Sequence, residues 1–193
     1  MNQRNAERAV MVIIGAILGG AVATRFVPGE KTAHAAPAAS GAEARVRALG
    51  LELKPPGTPS NTYVNTVRVG DMLYVSGTGP GRVDGQSFRG KLGQDLDIAQ
   101  GQAAARSVGV SVLGKVRHEL GSLDKVVRVV KTLGMVNAAP DFESQPKVVN
   151  GFSDLMVEVF GEAAGKGARS AVGMGSLPGN IPIEIEVIFQ VRD

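Results

Sequence analysis

The 193-residue chain has 44% apolar and 20% charged residues, a globular composition that excludes an intrinsically disordered chain. Its formal charge of +3 is weak and scattered, aromatics make up only 4% and Trp is absent. That argues against nucleic acid as a partner, because counterion release and base stacking both need more. With no Cys, disulfides, thiolate nucleophiles and Cys-built zinc sites are excluded, and His34 and His118 sit in unrelated contexts without metal-ligand spacing. No cofactor is required by any motif.

The chain opens on Arg4 and Arg8, followed by an uncharged run, "AVMVIIGAILGGAVAT", that ends at Arg25. A spanning helix needs about 20 apolar residues, so the run is at the short edge of that length, with flanking Arg able to snorkel. It also matches the basic and apolar regions of a secretory signal, with Ala33-His34-Ala35 as a small-x-small cleavage site. The long spacer from Arg25 to Lys31 favours an uncleaved anchor, and the absence of a polar face argues against a buried core helix. Residues 1–27 are therefore expected to be a signal peptide or signal anchor, with the protein exported, periplasmic or held on the cytoplasmic membrane. Residues 28–44, rich in Ala, Pro, Ser and Gly, read as a tether, and the folded domain is expected over 45–193.

Within that domain, "VNTVRVGDMLYVSG" shows two β-rich runs flanking Gly70-Asp71, a hairpin signature. A Gly-rich excursion, "TGPGRVDGQSFRGKLG", follows. From Asp97 to about Leu120 the period turns helical: Ala104, Val108, Val112, Val116 and Leu120 recur every four residues, and Gly121 stops the helix. "KVVRVVKTLGMVN" reads as a largely buried strand, broken by Pro140 and Asp141. "QPKVVNGFSDLMVEVFG" is a second amphipathic helix, with Val148, Phe152, Leu155, Met156, Val159 and Phe160 on its apolar side. "ARSAVGMGSLPGNIPIEIEVIF" supplies two last strands around a Gly/Pro turn. The order β-β-α-β-α-β-β predicts an α+β domain with a layer of helices on one sheet face.

Three glycine- or charge-bearing patterns have bland explanations. Gly77-Thr78-Gly79-Pro80-Gly81 lacks the helix N-terminus that a phosphate cradle needs and reads as a wide turn. "GEAAGKG" superficially matches a P-loop, but its glycine spacing is one short and no Ser or Thr follows Lys166. Lys125, Arg128 and Lys131 read as a solvated strand edge. Arg169 is different, a guanidinium at the head of a small, apolar strand with Glu184 and Glu186 in the next one. In an antiparallel pair joined by the turn at Pro178–Asn180 it would lie near Glu184 or a neighbouring strand. One reading is a plain cross-strand ion pair. The other is a fixed fork that receives a substrate carboxylate bidentately, with Glu184 as a nearby acid/base. Spacing leaves both open.

Three stretches resemble the reactive-intermediate deaminase family, the Rid or YjgF-like proteins: Tyr63 thirteen residues before Ser76-Gly77, "PDFESQPKVVNGFSDLMVEVFGE", and the specific one, "ARS…LP…EIE", within residues 168–189. "LGLELKPP" and "VNAAPDF" are most similar to its endoribonuclease-like or chorismate-mutase-like branch. The likeness covers residues 45–193. It implies a chorismate-mutase-like single mixed sheet with two helices on one face, and a homotrimer with small-ligand clefts between subunits. It also implies hydrolysis of 2-imino or 2-enamino acids to 2-keto acids and ammonia. By that resemblance Arg169 clamps the substrate carboxylate, Glu184 places or activates the attacking water, and Tyr63, Gly77 and Asn150 line the cleft. Ala171 stands where the familiar deaminases often have Cys, and Thr78 where Gln is common. Two other functions fit the same frame: a non-catalytic trimer that binds small carboxylates, and a weak endoribonuclease.

Overall fold

The structure, a computed structural model, describes residues 41–193 except 83, 84 and 86. The apolar run at 9–24 and most of the tether lie outside the described residues. Among the described residues no helix is long and apolar enough to cross a membrane. The described chain runs α1 (Ala42–Ala48), β1 (Thr66–Val69), β2 (Met72–Thr78), α2 (Ile98–Leu120), β3 (Val126–Asn137), α3 (Gln145–Phe160), α4 (Glu162–Gly165), β4 (Ala168–Met174) and β5 (Ile183–Val191). Apart from the short α1 and α4, this is the expected order. The α1 helix begins inside the segment read as tether: Ala42 and Val46 are buried, and the Glu43 carboxylate accepts from the Leu123 backbone N–H at 3.0 Å.

Local chemistry accounts for the helix ends. Asp97 caps α2 through a reciprocal box, its carboxylate accepting from Gln100 N–H at 2.8 Å and its own N–H donating to Gln100 Oε1 at 3.0 Å. Gly121, at φ 78°, ends the helix in the left-handed conformation that glycine tolerates best. The four-residue stripe of α2 and all six apolar residues assigned to α3 are buried. The two helices pack side by side, and Gly151 of α3 lies against the Gln102 backbone carbonyl of α2. Alanine is a better helix former than glycine by about 1 kcal/mol. Gly151→Ala is nevertheless expected to destabilise the fold by about 1–3 kcal/mol, the usual range for overpacking. A urea midpoint equal to or above wild type would contradict this close approach.

The sheet order is β1-β2-β5-β3-β4, antiparallel throughout except for the parallel β3–β4 pair. Two expectations are corrected here. First, β4 and β5 do not form a hairpin, because β3 lies between them. A two-residue turn would join neighbours, but the connection here crosses the end of β3 and is pinned there by the buried Asn137. Its side-chain amide donates to Asn180 Oδ1 at 3.0 Å and to Ile181 O at 3.2 Å, and its backbone N–H donates to Pro182 O at 2.9 Å. Second, β3 is paired on both sides from Lys131 onward, so Lys131 is not on a solvated edge and donates to Ser170 Oγ of the adjacent strand at 2.8 Å, whereas the exposed Arg128 precedes the stretch paired with β4.

Helices cover one face only. Leu73, Val75, Val129, Val136, Ile183, Ile185, Val187 and Phe189 are buried beneath them. On the other face no described element covers the sheet, and Val67, Tyr74 and Val172 are 48%, 44% and 39% exposed. An uncovered face on a single sheet that exposes large apolar side chains, here with Lys131, Glu184 and Glu186 among them, is the mark of an interaction surface.

Candidate functional site

Arg169 sits on the edge strand β4. Thr132 of β3 stands opposite both Arg169 and Val187. Thr132 and Val187 are buried under the helices, so Arg169 also projects to the helix side. There α3 positions it: Arg169 Nη1 donates to Asn150 Oδ1 at 2.8 Å and to Ser153 Oγ at 3.1 Å, from residues three apart on one helix face. Among the described residues no carboxylate lies within salt-bridge reach of the guanidinium. The cross-strand Arg–Glu pair is therefore absent. Both bonds leave from Nη1, so the Nε/Nη2 edge of the fork is uncommitted. Arg169 lines a cleft of about 280 Å³ together with Thr132, Ser153, Asp154 and Val157. Ala171, half-buried, follows on the same face.

Glu184 stands opposite Met135 and alternates with the buried Ile183 and Ile185, so it projects to the bare face. Its carboxylate packs against Gly77, where any Cβ would collide with Glu184 Oε1. The register of β2 against β5 slips between Val75 and Thr78, a bulge of the sort that re-aims side chains at sites. Thr78, half of this irregularity, accepts from Lys115 Nζ at 2.9 Å. Burial raises the Glu184 pKa above the ordinary carboxylate range, the Glu186 charge raises it further, and the Lys115 ammonium opposes both. Burial in turn lowers the Lys115 pKa, with Glu184 opposing. Among the described residues the Glu184 carboxylate makes no hydrogen bond or ion pair. Tyr63 belongs to the same neighbourhood: Ser76 Oγ donates to Val64 O at 2.6 Å and Ser76 N–H to Asn65 O at 3.0 Å, tying the Tyr63 loop beside Ser76-Gly77.

The six candidate residues thus fall into two groups. Arg169, Asn150 and Ala171 occupy the β4 edge on the helix side; Tyr63, Gly77 and Glu184 gather around the β2–β5 pair and the bare face. Within one chain β3 separates Arg169 from Glu184. The sequence reading missed Ser153 and Lys115. Ser153 is marked only by its spacing of three from Asn150, and Lys115 only as a cation directly beside the buried Gly114 and Val116 of α2. No group of three or more metal-ligating side chains occurs among the described residues.

This architecture has relatives. Residues 43–183 match the family model described as "YjgF/chorismate_mutase-like, putative endoribonuclease", and the chain belongs to that YjgF/chorismate-mutase-like family. Protein TCP17 of Trypanosoma cruzi is 39% identical over 150 residues, 78% of this chain and 94% of that protein. The crystal structure of Atu1372, a protein of unknown function from Agrobacterium tumefaciens, is 39% identical, covering 78% of this chain and 92% of that one with a TM-score of 0.69. That of a "putative endoribonuclease" from Shewanella oneidensis is 27% identical, covering 78% and 99%, with a TM-score of 0.73.

Proposed function

We propose that the protein hydrolyses small 2-imino and 2-enamino acids to 2-keto acids and ammonia. The observation that carries this reading is the Arg169 fork, oriented by Asn150 and Ser153 yet left without a carboxylate partner beside an open cleft. A guanidinium held in this way suits bidentate binding of a planar carboxylate. In the reaction an enamine first tautomerises to the imine. Water adds to the imine carbon, one of its protons passing by way of ionised Glu184 to nitrogen to give a carbinolamine; the remaining hydroxyl proton then passes by the same carboxylate to the amine as the C=O forms and the C–N bond breaks, releasing ammonia and the keto acid. Glu184, without a hydrogen-bond partner among the described residues and flanked by the small Gly77, is suited to that task.

The division of these residues between two places supports a second element of the proposal, that the working site forms between copies of the chain. The bare sheet face, with its exposed Val67, Tyr74 and Val172, offers the surface for such an assembly, and a closed homotrimer would bring the β4 edge of one copy against the Tyr63–Gly77–Glu184 group of the next. We read the N-terminal run as the export or anchor segment of this assembly. Ammonia and keto-acid release from freshly generated 2-iminobutyrate, with and without the full chain, tests the activity. Acceleration over buffer is expected; no acceleration across a range of imine side chains would leave the rival reading, a non-catalytic binder of small carboxylates.

A further inference from the structure

A cavity of about 880 Å³ lies on the helix side, away from the Arg169 cleft, between α2 and the segment at residues 51–57. Its walls are apolar at Leu51, Pro55 and Val110, while Lys54, Arg82, Arg106 and Lys115 bring positive charge to it against the single carboxylate of Glu52. The segment is fixed in place. Arg117 Nη2 donates to Leu53 O at 2.7 Å, Asn65 Nδ2 donates to Gly57 O at 2.9 Å, and Gly114 of α2 lets the Lys54 carbonyl come close.

Two of the four cations are committed elsewhere. Arg106 forms a fork with Glu158 at 3.0 and 2.6 Å, and Lys54 lies 4.0 Å from Glu52. Lys115 and Arg82 are not. The half-buried Lys115 ammonium spends one of its three donors, on Thr78, and meets no carboxylate within 4.0 Å among the described residues. Arg82 has no partner there either. Its neighbour Gly81 approaches Ser111, to which a Cβ would come within 3.5 Å, and Ser111 is one helical turn before Lys115 on α2. The partly desolvated Lys115 ammonium feels Glu184 only from beyond 4.0 Å, an energetic disadvantage that a bound anion would relieve.

We propose that this cavity is a second ligand site, for a small organic anion whose phosphate or carboxylate head lies on Lys115 and Arg82 and whose apolar body lies along Leu51, Pro55 and Val110. The site shares Lys115 with the Glu184 neighbourhood but not Arg169, so loss of the Arg169 clamp and loss of this site are distinguishable. The test is calorimetric titration of the full chain with phenyl phosphate at low salt, beside inorganic phosphate and phenol. Phenyl phosphate is expected to bind saturably, about tenfold or more tighter than either part alone, as expected when a charge-assisted contact and apolar burial act together. Lys115→Met and Arg82→Ala should each weaken binding, Ser111→Phe should remove it by filling the cavity, and Arg169→Ala should leave it unchanged. Matched thermal transitions establish that each variant is folded, and Arg82→Ala, on an exposed arm, serves if Ser111→Phe does not fold. No saturable binding, binding indifferent to Lys115 and Arg82, or binding lost with Arg169→Ala would overturn the proposal.

Discussion

Arg169→Ala is expected to lower kcat/KM for 2-imino acids by about 10–150-fold, the factor matching the roughly 1.5–3 kcal/mol of a charge-assisted hydrogen bond to a carboxylate. The loss should come with an almost unchanged melting temperature. Arg169 is exposed on an edge strand, its bonds to Asn150 and Ser153 are surface bonds, and no ion pair is broken by its removal. Arg169→Lys keeps the charge but replaces a planar fork by a point donor, so it should recover only part of the activity. Steady-state rates beside circular-dichroism melts separate the outcomes. Full activity in Arg169→Ala would remove the clamp from the account, and a collapse of stability would make Arg169 structural.

Glu184→Gln should lower kcat by about 10²–10⁴-fold, the range associated with a positioned general base, while binding of the keto-acid product persists. The pH dependence carries a sign that can be checked. Burial and Glu186 raise the native Glu184 pKa, and Lys115 from α2 is the facing charge that restrains the rise. The acid limb of kcat/KM should therefore fall above the ordinary glutamate range near 4.3, and Lys115→Met should move it higher still, with Lys115→Arg restoring it. The same shift links to stability. A carboxyl with its native pKa above its unfolded value favours the fold fully below the unfolded pKa, and that contribution is lost as pH rises through the native value. At pH 7 Glu184→Gln should thus melt at a higher temperature than wild type, and the difference should vanish towards pH 4. An acid limb indifferent to Lys115, or a Glu184→Gln variant less stable at neutral pH, would contradict this electrostatic picture.

Much of the fold was legible because its signals are local. The four-residue stripe from Ala104 to Leu120, Gly121 as a stop, the apolar face of α3 and the glycine at the β1–β2 turn each depend on residues near in sequence, and each is found where it was expected. The pairing of β4 was not legible in this way. The Gly/Pro stretch before β5 resembles a hairpin turn, and nothing nearby announces that Asn137, some forty residues upstream, draws the connection across the end of β3. The interior place of β3 from Lys131 onward was missed for the same reason, since the charge of Lys131 imitates an edge. For the site, residue chemistry and the family likeness singled out Arg169 and Glu184, while spacing alone left an ion pair between them equally open. Only the sheet order removes that pair and sends the two side chains to opposite faces. Lys115 was hidden because its role depends on the β2 bulge at Thr78, a long-range feature with no signature in α2 itself.

The central claim is that Arg169 and Glu184 work together across two copies of the chain. Co-expression of the Arg169→Ala and Glu184→Gln full chains, purified as mixed assemblies, tests it directly. Each variant alone is strongly impaired by expectation, so the comparison is made under conditions where the Arg169→Ala rate is well below a quarter of wild type. In a random mixture of closed assemblies with one directional interface per site, about one quarter of the sites would join an intact Arg169 to an intact Glu184, so about a quarter of the wild-type rate of ammonia release should return. If both residues serve a site within a single chain, no mixture contains an intact site, and the mixed assemblies would stay as inactive as their parents.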